Sequence, residues 1–295
     1  MGTTAIPYAT KTCNAANGCT PCSRGCLRCW AKALHDQRHK AILAGKKLAP
    51  QYRVPFDTVQ LLPDRLAEPA RWRKPQRVFW CSTGDLFHKD VPDEYIAKCF
   101  AVMRRTWWHL HLVLTKRPDR MERWVRLHGA DLVGRELGAE DPDAELAFQW
   151  PLSNVLLGTT ICDQAEAERH IPVVTKLGLL GWRTWLSLEP LLGPVSLGLG
   201  GTCPKDWGCG YSPVLAGLEW VVVGAEACAG VPRKMELSWM HSVAKECDLT
   251  STLFYGKQVH FGTHHYPRVS TKPTDEWPVW ARDRDLPPMP APVTL

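Results

Sequence analysis

Short apolar segments that alternate with helical segments constrain the fold of this chain more than any other feature. The segment RVFWCS (77–82) is typical of a buried strand, and the residues from about 93 to 105 after it are typical of a helix. Similar pairs recur along the chain. The predicted strands are 5–10, 77–82, 109–115, 154–160, 183–189, 218–224 and 252–257, and the other predicted helices are 30–45, 118–128, 164–177 and 238–247.

Strands and helices that alternate in this way favour a parallel sheet. No glycine-rich dinucleotide motif is present, so we predict an α/β fold of the partial TIM-type (β/α) barrel rather than an open doubly wound sheet. The barrel is expected to span residues 1–262, with an acidic loop at 129–150 and a glycine-rich insertion at 198–217. A proline-rich extension is expected at 263–295.

The composition excludes some classes of protein. The chain has 295 residues, and 45% of them are hydrophobic, so it can bury a sizeable core. It has no apolar run of about 18 residues, which argues against a membrane span. Its first residues do not resemble a signal peptide, so we expect a cytoplasmic protein. The formal net charge of +6 is compatible with an anionic substrate.

A cysteine loop follows the first predicted strand and suggests a metal centre. Five of the seventeen residues from Cys13 to Cys29 are cysteines. Cys22, Cys26 and Cys29 have the spacing C-x3-C-x2-C, which would give three thiolates to a four-iron cluster and leave one iron open. S-adenosylmethionine can bind such an iron and start radical chemistry.

Two other interpretations of the cysteine loop remain open. Cys19 with Cys22, and Cys26 with Cys29, form two C-x2-C pairs that could bind zinc, although most zinc ribbons separate their pairs by a longer hairpin. Disulfides are disfavoured in a reducing cytosol.

Polar residues follow the predicted strands, where the working residues of a barrel lie. Each is individually compatible with a helix cap or a surface position, but together they indicate one functional face. They are Ser82 and Asp85, then Thr115, Lys116 and Arg117, then Thr160 and Asp163, and finally Glu189, Glu226, Lys257 and Gln258.

Several of these segments carry a family resemblance. The chain resembles the phage Gp37/Gp68 family, a domain of unknown function grouped with radical S-adenosylmethionine enzymes. The segments that resemble it are TCNAANGC (12–19), SRGCLRCWA (23–31), GDLFHKDVPDEYI (84–96), LTKRPDRM (114–121), NVLLGTT (154–160), EPLLGPV (189–195), WVVVGAEA (220–227) and KQ (257–258).

The resemblance implies a partial TIM-type barrel, a [4Fe-4S] cluster and S-adenosylmethionine. It maps the cluster ligands onto Cys19, Cys26 and Cys29, whereas spacing alone favours Cys22 in place of Cys19. Cys26 and Cys29 are common to both interpretations. A hydrophobic residue usually stands at the position of Cys22 in the family, so the choice leans to Cys19.

Roles for the other residues follow from this chemistry. The sulfonium and amino group of S-adenosylmethionine need acceptors, which makes Ser82, Asp85, Glu189 and Glu226 candidates for binding them. Thr115 and Lys116 are further cofactor-binding candidates. Lys116 and Arg117 could pair with a carboxylate or a phosphate. His88 is a candidate proton donor or a packing residue at a helix start, and Cys162 and Cys228 are either packing residues or hydrogen-atom donors.

The expected substrate is a nucleic-acid base or a modified, thymidine-type nucleotide in phage DNA modification, rearrangement or repair. The basic and aromatic segments 71–74 and 264–268 favour it. An electron donor for the cluster is expected as a partner. The alternatives are a non-enzymatic zinc- or nucleic-acid-binding module and a radical modifier of peptides or proteins, whose partner chain would dock on 198–217.

Overall fold

The structure is a computed structural model, and it describes residues 4–139, 141, 149–198, 217–228, 232–261, 268–270 and 285–290. These residues divide into two compact units. The first comprises the described residues of 1–22, 26–156 and 289–295. The second comprises those of 23–25 and 157–288.

The first unit contains parallel strands at the start of the chain. Strand β1 (Lys11–Cys13) pairs with β4 (Arg77–Trp80), and β4 pairs with β5 (Leu110–Thr115). Strand β6 (Val155–Thr160) follows β5 in the order and continues into the second unit. Two short strands, β2 (Ala16–Asn17) and β3 (Gln60–Leu61), form a separate antiparallel pair.

The second unit continues the alternation. Its strands after β6 are β7 (Arg183–Leu188), β8 (Leu218–Gly224) and β9 (Leu253–Phe261), which pair in parallel in that order. Strand β10 (Arg268–Ser270) is antiparallel to β9 and lies within the predicted C-terminal extension.

Helices connect most of the strands. They are α1 (Trp30–Leu43), α2 (Asp93–Arg105), α3 (Pro118–Trp124), α4 (Ala130–Gly138), α5 (Gln164–Leu179) and α6 (Leu237–Thr250). A π-helical turn at Val125–Gly129 joins α3 to α4. The parallel strands and intervening helices confirm the predicted α/β class of the partial TIM-type barrel. No helix in the described residues is both long and apolar enough to cross a bilayer.

A pair of stacked tryptophans fills one buried part of the second unit. Trp185 of β7 and Trp220 of β8 are fully buried and stack with ring centroids 5.1 Å apart. Gly158 in β6 leaves space for this stack, because a Cβ atom there would lie 2.4 Å from Trp185 Nε1. A continuous apolar run is expected for a strand covered on both faces, and every residue of β6 is buried.

The structure corrects two predicted elements. The first strand begins at Lys11 and not in 5–10, because Pro7 has no N–H to donate and Ala9 N–H closes a turn onto Ile6 O at 3.1 Å. The predicted loop at 129–150 contains helix α4, whose buried Val133 and Leu137 are spaced four residues apart on one face. Most of the predicted insertion at 198–217 lies outside the described residues.

Candidate functional site

Two glycines allow the cysteine loop to pass close to the loop that follows β4. Gly18 has a φ of +91°, and a Cβ atom there would lie 2.5 Å from Thr58 O. Gly84, in the loop after β4, lies against β2, since a Cβ atom there would lie 2.9 Å from Ala16 O. Gly18 N–H also donates to Thr83 O at 3.0 Å. Only glycine fits both the positive φ and the close approach to Thr58 O at residue 18. Gly18 therefore determines the backbone conformation directly before Cys19.

Cys26 interacts with two other cysteines of the loop. The thiols of Cys22 and Cys26 are hydrogen-bonded, and this bond, followed by burial, raises the pKa of Cys22. Burial is the main reason why the pKa of Cys19 is raised to about 11, and the charges of Asp85 and Cys26 add to it. Cys29 is half-buried and caps the N-terminus of α1 with its backbone. The structure therefore brings Cys19, Cys22 and Cys26 near each other, with Cys29 one helical turn beyond.

The donor set fits a thiolate-bound metal centre in its chemistry. Four cysteine thiols on one short loop are the ligands that iron–sulfur clusters and zinc require. Among the described residues, no three His, Cys, Asp or Glu side chains converge on one metal-binding point. Metal binding would have to draw the thiols together and deprotonate them, as is usual for such loops.

Asp85 is the centre of a hydrogen-bond network at the ends of β4 and β5. Its Oδ1 accepts from Phe87 N–H at 2.9 Å and from the Thr115 hydroxyl at 2.7 Å. Its Oδ2 accepts from Lys116 N–H at 3.2 Å and from Arg117 Nη1 at 2.8 Å. Asp85 thus links the loop after β4 to the end of β5 by hydrogen bonds. The sequence analysis predicted that these two strand ends lie on one face, and the four partners of Asp85 named here belong to the first unit.

Arg117 extends this network to the cysteine loop. Its Nη1 also donates to Cys19 Sγ at 3.5 Å, and its Nη2 donates to Thr20 O at 2.9 Å. Its side chain is only 17% exposed. Burial alone would lower the pKa of Arg117, but the charges of Asp85, Cys19 and Cys22 together outweigh burial and raise the pKa. Arg117 therefore stays positively charged beside the Cys19 sulfur.

His88 and Ser82 support neighbouring parts of the loops. His88 is fully buried, its Nδ1 accepts from Asp90 N–H at 3.2 Å, and its Nε2 lies 2.7 Å from Thr20 Oγ1. Burial, followed by the charge of Arg117, lowers the pKa of His88. Ser82 Oγ donates to Asn14 Oδ1 at 2.9 Å. His88 and Ser82 therefore both contact the cysteine loop, through Thr20 and Asn14. Their positions in the sequence do not reveal these contacts.

Glu226 of the second unit forms a forked ion pair with Arg233. Arg233 Nε lies 3.0 Å from Glu226 Oε1, and Arg233 N–H donates to Oε2 at 2.8 Å. Arg233 Nη1 also donates to Arg24 O at 3.1 Å, and the Arg24 guanidinium donates to Asp163 at 3.1 Å. The hydrogen bond to Glu226 raises the pKa of Arg233. The sequence prediction missed Arg233, because it lies outside the strand ends.

The remaining predicted residues of the second unit lie in two places. Glu189 accepts from Lys257 Nζ and, at 3.4 Å, from Gln258 Nε2, so three predicted strand-end residues do meet. Cys162 is fully buried, and a Cβ atom on Gly25 would lie 2.5 Å from its sulfur. Cys228 is half-buried. Both Cys162 and Cys228 lie close enough to Arg233 to contribute to its raised pKa.

The basic and aromatic segment 71–74 lies away from these loops. It precedes β4, and the amino ends of parallel strands lie at the opposite edge of the sheet from their carboxyl ends. Trp72 is buried there, with Lys11 Nζ 5.9 Å from its ring centroid. The second such segment, 264–268, lies almost wholly outside the described residues.

Comparison with known proteins gives one family and a set of distant structures. The family model described as "Protein of unknown function (DUF5131)" matches residues 3–277. That description does not carry the phage Gp37/Gp68 name. No curated protein matches the chain.

The similar solved structures are those of spore photoproduct lyase. Its complex with dinucleoside spore photoproduct is 11% identical, with 92% of this chain and 71% of that chain covered and a TM-score of 0.44. A mutant of the same enzyme with bound AdoMet and dinucleoside spore photoproduct is 11% identical, with 90% and 69% covered and a TM-score of 0.41. Similarity at this level is too low to support a conclusion about this chain.

Proposed function

The chain belongs to the DUF5131 family of proteins of unknown function, and we propose that it is a radical S-adenosylmethionine enzyme. Its substrate would be a nucleic-acid base or a modified, thymidine-type nucleotide. We propose Cys26, Cys29 and either Cys19 or Cys22 as ligands of a [4Fe-4S] cluster, with an external electron donor.

One observation carries this proposal. The cysteine loop follows β1, the first of the parallel strands, and Cys19, Cys22 and Cys26 of that loop interact beside the ends of β4 and β5. In barrel folds the carboxyl ends of the strands carry the chemistry. A cysteine-rich loop at this edge supports the proposal that it holds a reactive cofactor and does not only stabilise the fold.

The residues of the first unit would bind and orient the reactants. Ser82 and Lys116 lie on the loops after β4 and β5, and Thr115 is the last residue of β5. All three could bind the polar groups of S-adenosylmethionine, and Glu189 and Glu226 are candidates from the second unit. His88 holds Thr20 and so fixes the chain next to Cys19. When bound, the cluster and S-adenosylmethionine supply a radical that can abstract hydrogen from a substrate. Cys162 and Cys228 are proposed as hydrogen-atom donors or packing residues.

A zinc-binding module is the second candidate. The contact between Cys22 and Cys26 favours it, because a tetrahedral zinc site would use Cys22 in addition to Cys19, Cys26 and Cys29. This candidate predicts a colourless protein that binds no iron.

The experiment that separates the two candidates uses the whole chain purified without oxygen. Iron, sulfide and zinc are measured per chain, and the reduced protein is then incubated with S-adenosylmethionine and assayed for 5′-deoxyadenosine. Two variants accompany it. Cys26→Ala removes a ligand common to both cluster assignments, whereas Cys247→Ala removes a buried thiol of helix α6.

We expect about four irons per chain, release of 5′-deoxyadenosine, loss of both in Cys26→Ala, and retention of both in Cys247→Ala. Stoichiometric zinc with no iron after reconstitution, and no 5′-deoxyadenosine, would contradict the enzyme proposal and support the binding module.

A further inference from the structure

The Asp85–Arg117 pair holds a positive charge against the sulfur of one particular cysteine. Arg117 Nη1 lies 2.8 Å from Asp85 Oδ2 and 3.5 Å from Cys19 Sγ. The same guanidinium donates from Nη2 to Thr20 O at 2.9 Å and to Thr20 Oγ1 at 3.4 Å. Both terminal nitrogens of Arg117 are therefore committed to the protein, in a position fixed from two sides.

Contacts other than the one with Cys19 hold Arg117 in position. Arg117 is the last residue before helix α3, and its backbone N–H donates to Thr115 Oγ1 at 2.9 Å. Asp85, which binds its guanidinium, is 5% exposed and is held by three further donors. A planar guanidinium held in this way cannot easily turn towards a substrate, because that would leave the buried Asp85 carboxylate without its cation.

Such a contact matters for a sulfur that binds a metal cluster. A hydrogen bond from a charged donor withdraws electron density from a thiolate, and hydrogen bonds to the sulfurs are among the factors that set the reduction potential of iron–sulfur clusters. Groups that orient a metal ligand without touching the metal also change how well the metal is held. Arg117 makes this contact with Cys19, whereas Cys22 Sγ lies 3.9 Å from Lys116 O.

We propose that Arg117 is a positioning residue that presents Cys19 as the third cluster ligand and raises the reduction potential of the bound cluster. Asp85 holds Arg117 for this purpose, in addition to any contact that it makes with a cofactor. This inference rests on the proposed function, since it requires that the loop binds an iron–sulfur cluster.

The test compares Arg117→Gln and Arg117→Lys with Arg120→Gln in the whole, anaerobically reconstituted protein. Arg120 is a matched control: it is 19% exposed, lies in helix α3 directly after Arg117 and pairs with Asp93 at 2.7 Å. Its other contacts are with the carbonyls of His88 and Val91 and not with a cysteine. The cluster is titrated with a chemical reductant and followed by electron paramagnetic resonance, with iron and sulfide counted per chain.

We expect Arg117→Gln to make reduction of the cluster about tenfold less favourable, which corresponds to a shift of ~59 mV to lower potential. Arg117→Lys should recover part of this shift, since it restores the charge but not the fork. Arg120→Gln should keep the wild-type potential. Loss of iron in a folded Arg117→Gln variant, with iron kept in Arg120→Gln, would equally support the positioning role.

Two results would overturn the inference alone. One is a fully loaded Arg117→Gln variant with the wild-type potential. The other is a Cys19→Ser variant that keeps all of its iron and the wild-type potential, since Arg117 would then contact no ligand; this test does not require the Arg117 variants to fold. Failure of the wild-type chain to bind iron would instead overturn the proposed function, and the inference with it.

Discussion

His111 is a buried histidine that the fold holds in its neutral form. Its Nδ1 accepts from Trp80 Nε1 at 3.0 Å, and because a tryptophan nitrogen can only donate, this Nδ1 carries no proton. Its Nε2 lies 3.1 Å from Thr106 Oγ1, whose own hydroxyl donates to Val102 O at 2.7 Å. The proton of His111 is therefore on Nε2. Burial, with a contribution from His109, lowers the pKa of His111 to about 3.

This lowered pKa makes the stability of the protein depend on pH. The unfolded chain takes up a proton at His111 near pH 6.5, whereas the folded protein does so only near pH 3. Between these values the unfolded state binds more protons, so stability is lost as the pH falls from about 6.5 towards 3. We expect His111→Gln to be less stable near neutral pH by about 1–2 kcal/mol, but to lose less stability on acidification.

Urea unfolding between about pH 7.5 and 4.5 measures this dependence. The control is His128→Gln, since His128 is exposed on the π-helical turn after α3. It should follow the pH dependence of the wild-type chain. An equally steep acid dependence in His111→Gln would show that His111 is not responsible.

Several residues that meet in the candidate site were named from the sequence, but the contacts between them were not predicted. The strand-end rule located Asp85 and Thr115 without showing that they bind each other at 2.7 Å. These contacts join residues 30 or more positions apart, and local patterns do not specify which loops meet. For the same reason the sequence could not show that Arg117 lies beside Cys19.

Helix α6 ends in a left-handed residue that is not glycine. Ser251 has a φ of +56° and follows Thr250, the last residue of the helix. Its backbone N–H donates to Asp248 O at 3.3 Å, and Thr252 N–H donates to Cys247 O at 3.0 Å. Glycine is the usual residue here, because a Cβ atom makes the left-handed conformation less favourable.

We therefore expect Ser251→Gly to stabilise the protein by about 0.5–1 kcal/mol. Ser242→Gly is the matched control, because it makes the same substitution at another exposed position of α6, inside the helix. There glycine should be destabilising by about 0.5 kcal/mol. Urea unfolding of both variants measures the difference. Destabilisation by both substitutions would mean that the left-handed conformation of Ser251 does not lower the free energy of unfolding.

Elements with strong local patterns were predicted closely, and weak ones were not. Helix α2 occupies 93–105 as predicted, since acidic residues begin it and basic residues end it. Strand β1 has only three residues, and its position is determined by its pairing with β4. Local β-propensity therefore favoured the wrong segment, 5–10. Helix α4 was missed because two glycines within it resemble a loop composition.

The alternating pattern predicted the whole fold class because it repeats through most of the chain. Each buried strand needs a helix to cover it, so fold class depends on many segments and tolerates errors in a few. The substrate, in contrast, depends on a few side chains and on loops whose arrangement is not periodic. The net charge of +6 is a property of the whole chain and does not show where an anion would bind.

The location of nucleic-acid binding can be tested by reversing charge at opposite edges of the first unit. Arg73 and Lys74 are exposed and precede β4 at its amino end, whereas Arg28 and Lys32 are exposed in the cysteine loop and in α1. Each double substitution to glutamate lowers the formal charge by the same amount. If the carboxyl edge binds the substrate, only Arg28→Glu with Lys32→Glu should change its phosphate contacts.

Binding of a fluorescent thymine-rich oligonucleotide at several salt concentrations measures this. The logarithm of the affinity falls with the logarithm of salt concentration by about 0.9 for each phosphate neutralised in duplex DNA and about 0.7 in single strands. We expect a steep slope for the wild-type chain, a slope lower by up to about 1.4–1.8 for the Arg28 and Lys32 variant, and little change for the Arg73 and Lys74 variant. A larger change of slope in the Arg73 and Lys74 variant than in the Arg28 and Lys32 variant would indicate that the nucleic acid binds at the amino edge. A shallow salt dependence of the wild-type chain would favour a peptide substrate, because a partner without phosphates releases few counterions.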